Sequence, residues 1–323
     1  MLASERDSKV LIIGKVPPPI GGFTVHVQRL LQSFYKDDIL IFYNLANYSI
    51  WSLFKSFWRY KIIHLHTSNP ALRFYLAFSS VIFKKKLIIT FHGNIGRFGI
   101  VGNIFDLLSV SMCSKPILLN KGSYNKAKKY NSNSELLSSF IPPFEINSLP
   151  EKFLNEIKRI KTEDVFIYCT NAYDVSFDNK GNEIYGISEL LESFSGLSRS
   201  KLIVSDPSGN YKKFIKKKYE KFIDVPLWIS EAHDFFEVLK LSNGLIRNTI
   251  TDGDSISVKE ALFLKLPVYA TTVVDRPYGC ILYDNQEDLI DQIILFQKIG
   301  YQVDGAVESS IKRLESIYTS YLS

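Results

Sequence analysis

Residues 62–94 read IIHLHTSNPALRFYLAFSSVIFKKKLIITFHGN. Two short apolar runs, IIHLH (62–66) and LIITF (87–91), flank a segment whose aromatic and aliphatic side chains recur at helical spacing. Strand, crossover helix, strand is the unit of a parallel sheet, because parallel neighbours cannot be joined by a tight turn. The same alternation continues outward. KVLIIG (9–14) and ILIFY (39–43) lie upstream, and PILL (116–119) and LSSFI (137–141) downstream. A second series follows: VFIYC (165–169), KLIVS (201–205), VPLWI (225–229), GLIR (244–247), PVYA (267–270) and CILY (280–283). Runs that are apolar throughout belong to strands covered on both faces. Two such series predict an α/β chain with two Rossmann-like, doubly wound parallel-sheet domains.

The seam is expected in FIPPFEINSLPEKF (140–153), where three prolines interrupt helix and strand alike. This reading divides the chain into a first domain over 1–145, a linker over 146–163, a second domain over 164–305 and a C-terminal helix over 306–323. A length of 323 residues with 46% hydrophobic and 14% aromatic content suits two packed domains. The formal net charge of +6 is mild, and no aromatic-basic reading motif accompanies it, so nucleic-acid binding is not expected. Cys113, Cys169 and Cys280 lie far apart, without the spacing of a disulfide framework or a zinc site. The opening residues do not read as a signal peptide. The charge-free stretch Ile39 to Phe54, broken by Asn44 and Asn47, is too short for a membrane span.

In doubly wound sheets, ligands meet the carboxyl ends of the strands. After the first strand, PPPIGG brings Gly21 and Gly22 to the start of a helix whose Val25, Leu30 and Leu31 are expected to face the sheet. Amides exposed there favour an anion, although Pro-Gly clusters are also ordinary loop punctuation, and the spacing is not GxGxxG. The third and fourth strands end in HLHTSN and TFHGN. His66 and His92 fall where ligands bind, whereas His64 is expected on the opposite face as buried packing. After GLIRNTI comes TDGDSISVKEAL (251–262). The backbone of Gly253, Asp254 and Ser255 offers amides at a helix start, with Ser255 or Asp254 as cap. Glu260 follows in the second turn beside Val258, Ala261 and Leu262. A carboxylate there suits two ribose hydroxyls, and a solvated glutamate behind an acidic cap fits the pattern as well.

Asp252-x7-Glu260 with its continuation ALFLKLPVYAT resembles the E-x7-E segment and the EAxAxGxPVxAT run of family 4 glycosyltransferases, of the bacterial polysaccharide and lipopolysaccharide type. PPPIGG, IIHLHTS and ITFHG fall in that family's order, and the resemblance spans about Lys9 to Asp291. It implies a GT-B fold, two Rossmann-like domains with a cleft between them, and retaining transfer of a sugar from a UDP- or GDP-sugar. No metal and no cofactor beyond the nucleotide-sugar co-substrate is implied. By the same resemblance Glu260 holds the ribose and Asp252 contacts sugar hydroxyls. The amides of Gly253, Asp254 and Ser255 hold the phosphates, Gly21 and Gly22 approach the same diphosphate, and His92 contacts the sugar. Two features depart from the family. Aspartate stands at 252 in place of glutamate, and Tyr185-Gly186 stands where Lys-Gly is usual, with Lys180-Gly181 earlier in the chain. Arg247 is then the expected cation for the leaving diphosphate.

The resemblance points to a lipid-linked glycan acceptor and a cytoplasmic protein peripheral to the inner face of the plasma membrane. Residues 48–61 fit an anionic membrane surface, with Trp51, Phe54, Phe57 and Trp58 at helical spacing among Lys55, Arg59 and Lys61. Residues 73–86 end in Lys84, Lys85 and Lys86. The same aromatics would equally pack helices onto a sheet. Two further classes share the architecture: a nucleotide-sugar-binding protein without turnover, and a sugar-nucleotide epimerase.

Overall fold

The computed structural model describes residues 9–18, 20–36, 38–47, 49–252, 254–300 and 307–322. The chain forms two compact units. One runs up to Phe144 and takes back the segment from Glu308 onward; the other spans Glu145–Val307.

In the first unit, β1 (Val10–Gly14), β2 (Leu40–Asn44), β3 (Ile62–His66), β4 (Lys86–Phe91), β5 (Lys115–Leu118) and β6 (Glu135–Leu136) make one parallel sheet in the order β2-β1-β3-β4-β5-β6. The crossovers are α1 (Gly22–Ser33), α2 (Ile50–Arg59), α3 (Pro70–Ile82), α4 (Ile100–Met112) and α5 (Lys121–Lys128). Strand alternation assigns the core to two faces. Leu11, Ile13, Ile63 and Leu65 pack with Leu53 and Phe57 of α2 and Leu76 of α3. Val10, Ile12, Ile62 and Ile88 pack with Val27 and Leu30 of α1 and with Leu314, Ile317 and Tyr318 of a last helix, α12 (Ile311–Leu322).

In the second unit, β7 (Phe166–Asn171), β8 (Ser200–Ser205), β9 (Leu227–Ile229), β10 (Gly244–Arg247), β11 (Val268–Thr271) and β12 (Ile281–Tyr283) form a parallel sheet in the order β12-β11-β10-β7-β8-β9. One face carries α6 (Glu151–Thr162), α9 (Phe235–Lys240) and α10 (Ile256–Phe263). The other carries α7 (Ile187–Ser195), α8 (Asn210–Lys218) and α11 (Gln286–Ile299).

Four local expectations differ from the structure. LSSFI (137–141) is not a strand. Beyond Leu137 its carbonyls are taken by other groups: Ser139 by His26 Nδ1, Phe140 by the amide of Ser310 and Ile141 by Arg29 Nη1. Residues 151–162, expected within the linker, form α6, because Phe153, Ile157 and Ile160 recur at helical spacing and bury together. On α1, Val27 and Leu30 enter the core while Val25 and Leu31 stay half-buried. His64 lies on the same face as His66, with ring centroids 4.1 Å apart, since residues two apart in a strand point the same way.

Strand order reverses between β1 and β3 in the first sheet and between β7 and β10 in the second. At such a reversal the loops diverge to opposite faces and leave a crevice at the strand ends.

Candidate functional site

At the reversal in the second unit, Arg247 ends β10 and crosses to β7. Its Nη1 donates to the backbone oxygen and to Oδ1 of Asn171, both at 3.1 Å. Its Nε donates to Asp252 Oδ2 at 2.9 Å, and its guanidinium lies 5.3 Å from the Tyr185 ring centroid. Among the described residues no acceptor meets its Nη2. Arg276, in the loop after β11, reaches the same carboxylate oxygen with Nη1 at 3.1 Å. Its Nη2 donates to the hydroxyls of Thr249 at 2.8 Å and Thr271 at 3.2 Å. Burial opposes the charge on Asp252, but Arg247 and then Arg276 more than offset it and hold the carboxyl below its usual range. Burial likewise opposes the Arg247 charge, and Asp252 reverses the balance so that the net shift is upward.

Asn248 anchors the neighbouring loop. Its Nδ2 donates to Gly186 O at 2.9 Å and Glu189 Oε2 at 3.1 Å, while its Oδ1 accepts from Tyr283 Oη at 2.7 Å and Gln286 Nε2 at 3.1 Å. Gly186 has φ +54°, and a Cβ there would stand 2.3 Å from Asn248 Nδ2, so only glycine fits. The amino end of α7 is closed from within: Glu183 Oε1 accepts from the amides of Ile187 at 2.7 Å and Ser188 at 3.2 Å. Lys180 sits in an exposed turn held by Asp178. The Lys-Gly positions therefore offer neither open amides nor a cation at this strand end.

At the start of α10, Ser255 is the N-cap but makes no side-chain capping bond; its hydroxyl lies 3.1 Å from that of Ser257. Asp254 is ion-paired with Lys259. Gly253 lies outside the described residues. Glu260 is buried at 4% exposure, flanked in the core by Val258, Ala261 and Leu262.

The corresponding place in the first unit is made of imidazoles. Gly21 caps α1, its N–H donating to Thr24 Oγ1 at 3.1 Å, and a Cβ on it would meet nothing within 4 Å. Gly22, the first helical residue, is exposed. His26 Nδ1 lies 2.7 Å from Ser139 O. A carbonyl only accepts, so Nδ1 carries the proton and Nε2 the lone pair. His66, fully buried at the end of β3, has Nδ1 3.0 Å from His92 Nε2. His66, His92 and His26 form the group, among the described residues, whose ligating atoms converge, all within 4.8 Å of one another. Burial and then the surrounding imidazoles keep His66 and His92 well below the usual histidine range, so both are neutral at pH 7. His64 packs against His66 but has both ring nitrogens engaged elsewhere, by Tyr318 Oη at 2.6 Å and Thr90 Oγ1 at 2.8 Å, with its pKa pushed down to about 3 by burial and then by His26. The space a Cβ would need at Gly93 is filled by Arg97.

No family model matches the sequence, and neither does any curated protein. Solved structures do. Anabaena HepE in complex with UDP shares 11% identity over 98% of this chain and 96% of its own, with a TM-score of 0.68. Sucrose-phosphate synthase from Thermosynechococcus elongatus shares 10% over 97% and 96%, with a TM-score of 0.62. WaaG, a glycosyltransferase involved in lipopolysaccharide biosynthesis, shares 12% over 97% and 94%, with a TM-score of 0.61. The fold is theirs: the two-domain α/β GT-B fold, on two parallel sheets with flanking helices.

Two functional candidates escaped the sequence reading. Arg276 lies 24 residues beyond Asp252, in a loop with no motif to mark it, and only the adjacency of β10 and β11 brings it to the same carboxylate. His26 sits among the apolar residues of α1. A fourth histidine one helical turn after the Gly-Gly pair was the available signal.

Proposed function

We propose that the protein is a retaining glycosyltransferase that moves a sugar from a UDP- or GDP-sugar to a lipid-linked glycan, without a metal. The observation that carries the reading is the strand end of β10. There a buried arginine keeps one nitrogen that meets no acceptor among the described residues, at the reversal of the sheet and one loop before a helix whose N-cap, Ser255, makes no side-chain capping bond. Breaking the sugar–phosphate bond builds negative charge on the diphosphate and positive character on the sugar. Arg247 and the amides that open α10 suit the leaving group as its charge grows. Glu260 accepts from the ribose hydroxyls, and Asp252 and the neutral His92 contact the sugar. Metal independence at this strand end is supported by what its acids hold: two guanidiniums on Asp252 and an ammonium on Asp254 stand where a divalent ion would meet those carboxylates. HepE was solved with UDP, which supports a nucleotide donor.

The deciding experiment incubates the protein with UDP- and GDP-sugars, follows binding and release of nucleoside diphosphate, and reads the anomeric configuration of the product by NMR. Inversion would overturn the retaining assignment. Binding without any transfer would favour a non-catalytic nucleotide-sugar protein, and an epimer formed without acceptor would favour an epimerase.

The membrane-facing part of the proposal is supported by α2. Ile50 and Trp51 are 69% and 83% exposed, beside Lys55 and Arg59 on the same helix. Phe57 is buried, contrary to expectation, and packs on the sheet. Lys85 is also not a free surface cation, since it donates to the carbonyls of Trp58 at 2.7 Å and Tyr60 at 3.0 Å. The informative variants are therefore Ile50→Ser/Trp51→Ser and Lys84→Ser/Lys86→Ser. Either should reduce sedimentation with anionic liposomes at low salt, and wild-type pelleting by both would exclude this face.

A further inference from the structure

Arg247 and Asp252 alone would make a neutral pair, with little pull on a phosphate. The structure adds a second guanidinium. Among the described residues Asp252 is the carboxylate in ion-pair range of both arginines, at 2.9 Å from Arg247 Nε and 3.1 Å from Arg276 Nη1. All three groups are largely withdrawn from water: the side chains are 9%, 12% and 2% exposed for Arg247, Asp252 and Arg276. The cluster thus holds two positive charges against one negative where an unanswered ion is costly. The two arginines are not equivalent. Arg276 is pinned by Thr249 and Thr271 and shut in, whereas Arg247 lies over the Tyr185 ring and its Nη2 meets no acceptor among the described residues.

We propose that Arg276 is a positioning residue for an anion subsite: it answers the Asp252 carboxylate from within, so that Arg247 keeps a net positive charge for the diphosphate of the donor. The assignment rests on the nucleotide-sugar reading above for the identity of the anion, but its charge logic does not. Counting charges gives an ordered prediction. Wild type carries one excess positive charge, Arg276→Met none, Asp252→Asn two, and the double variant one again. A purely structural role for Arg276 would not produce that order, because removing Asp252 cannot restore lost packing.

The test is calorimetry with inorganic pyrophosphate, UDP and GDP on the four proteins, each first shown to keep its wild-type far-UV spectrum. Pyrophosphate is expected to bind about tenfold more weakly to Arg276→Met, more tightly to Asp252→Asn, and within about threefold of wild type to the double variant. Should Arg276→Met fail to fold, tighter binding by Asp252→Asn still decides the sign. A double variant as weak as Arg276→Met, or Asp252→Asn no tighter than wild type, overturns the assignment even where UDP or GDP binds. If pyrophosphate follows the order while neither nucleotide binds, the anion subsite stands and the nucleotide reading falls. If none of the three binds wild type, both fall.

Discussion

Both sheets reverse their strand order, the first after two strands and the second after three, and they finish the reversal with opposite chemistry. Beside the reversal between β1 and β3, the ends of β3 and of its neighbour β4 carry neutral imidazoles; at β7 and β10 the strand ends carry guanidiniums around a carboxylate. One fold motif therefore supplies a place, and the side chains decide whether it suits hydroxyls or phosphate. The first unit holds its histidines uncharged by burial, which leaves hydrogen-bonding groups without a field. The second spends its burial on ions, which gives a field and few idle donors.

Substitution at each end should break this contrast most sharply. Arg247→Ala is expected to lower turnover by about 100- to 1000-fold, the cost of one preorganised stabiliser of developing charge. His92→Gln should lower turnover while leaving the nucleoside diphosphate dissociation constant unchanged; a shift in that constant would mean His92 belongs with the phosphate. Next comes Glu260→Gln, which replaces a charged acceptor by a neutral one and should weaken nucleoside diphosphate binding by about 1–3 kcal/mol in calorimetry. Unchanged affinity in a folded variant removes the ribose role.

A smaller effect separates the units by pH. The folded pKa of His64 is about 3 against 6.5 for the ordinary group, so below pH 6.5 the unfolded chain takes up a proton that the folded one refuses. Stability is therefore unaffected above pH 6.5 and falls as pH drops below it, by about 1.4 kcal/mol per pH unit for such a group. His66 and His92 are shifted in the same direction in the first unit, and His233 in the second. Urea denaturation at pH 7.5 and 5.5 should show the loss, and His64→Gln should shrink it. The smallest expected effect is none: activity should survive EDTA. Loss restored by zinc would move the imidazoles to metal ligation, and loss restored by magnesium or manganese would implicate Asp252 and Asp254.

The sheets were legible because buried parallel strands are apolar on both faces, and β1, β3, β8 and β10 announce themselves in that way. LSSFI reads as a further short run, although two of its five residues are serine, and it fails, since its carbonyls are claimed by His26, Arg29 and Ser310, all remote in sequence. The helix α6 was hidden by prolines at its entry, although its own period is regular. At the site, Arg247, Asp252 and Glu260 were readable because they lie on one strand, loop and helix in succession. Arg276 was not, because sequence distance carries no sign of which strands become neighbours.

The last helix carries a consequence for how the molecule is made. Leu314, Ile317 and Tyr318 complete a core face begun by Val10 and Ile12, and Tyr318 bonds His64. A ribosome delivers these halves some 300 residues apart. The second unit is continuous in sequence and has all its parts in hand earlier. The half of the protein that is synthesised first is therefore expected to finish folding last, and a released chain truncated after Val307 should present a protease-resistant second unit beside a first unit still open to cleavage.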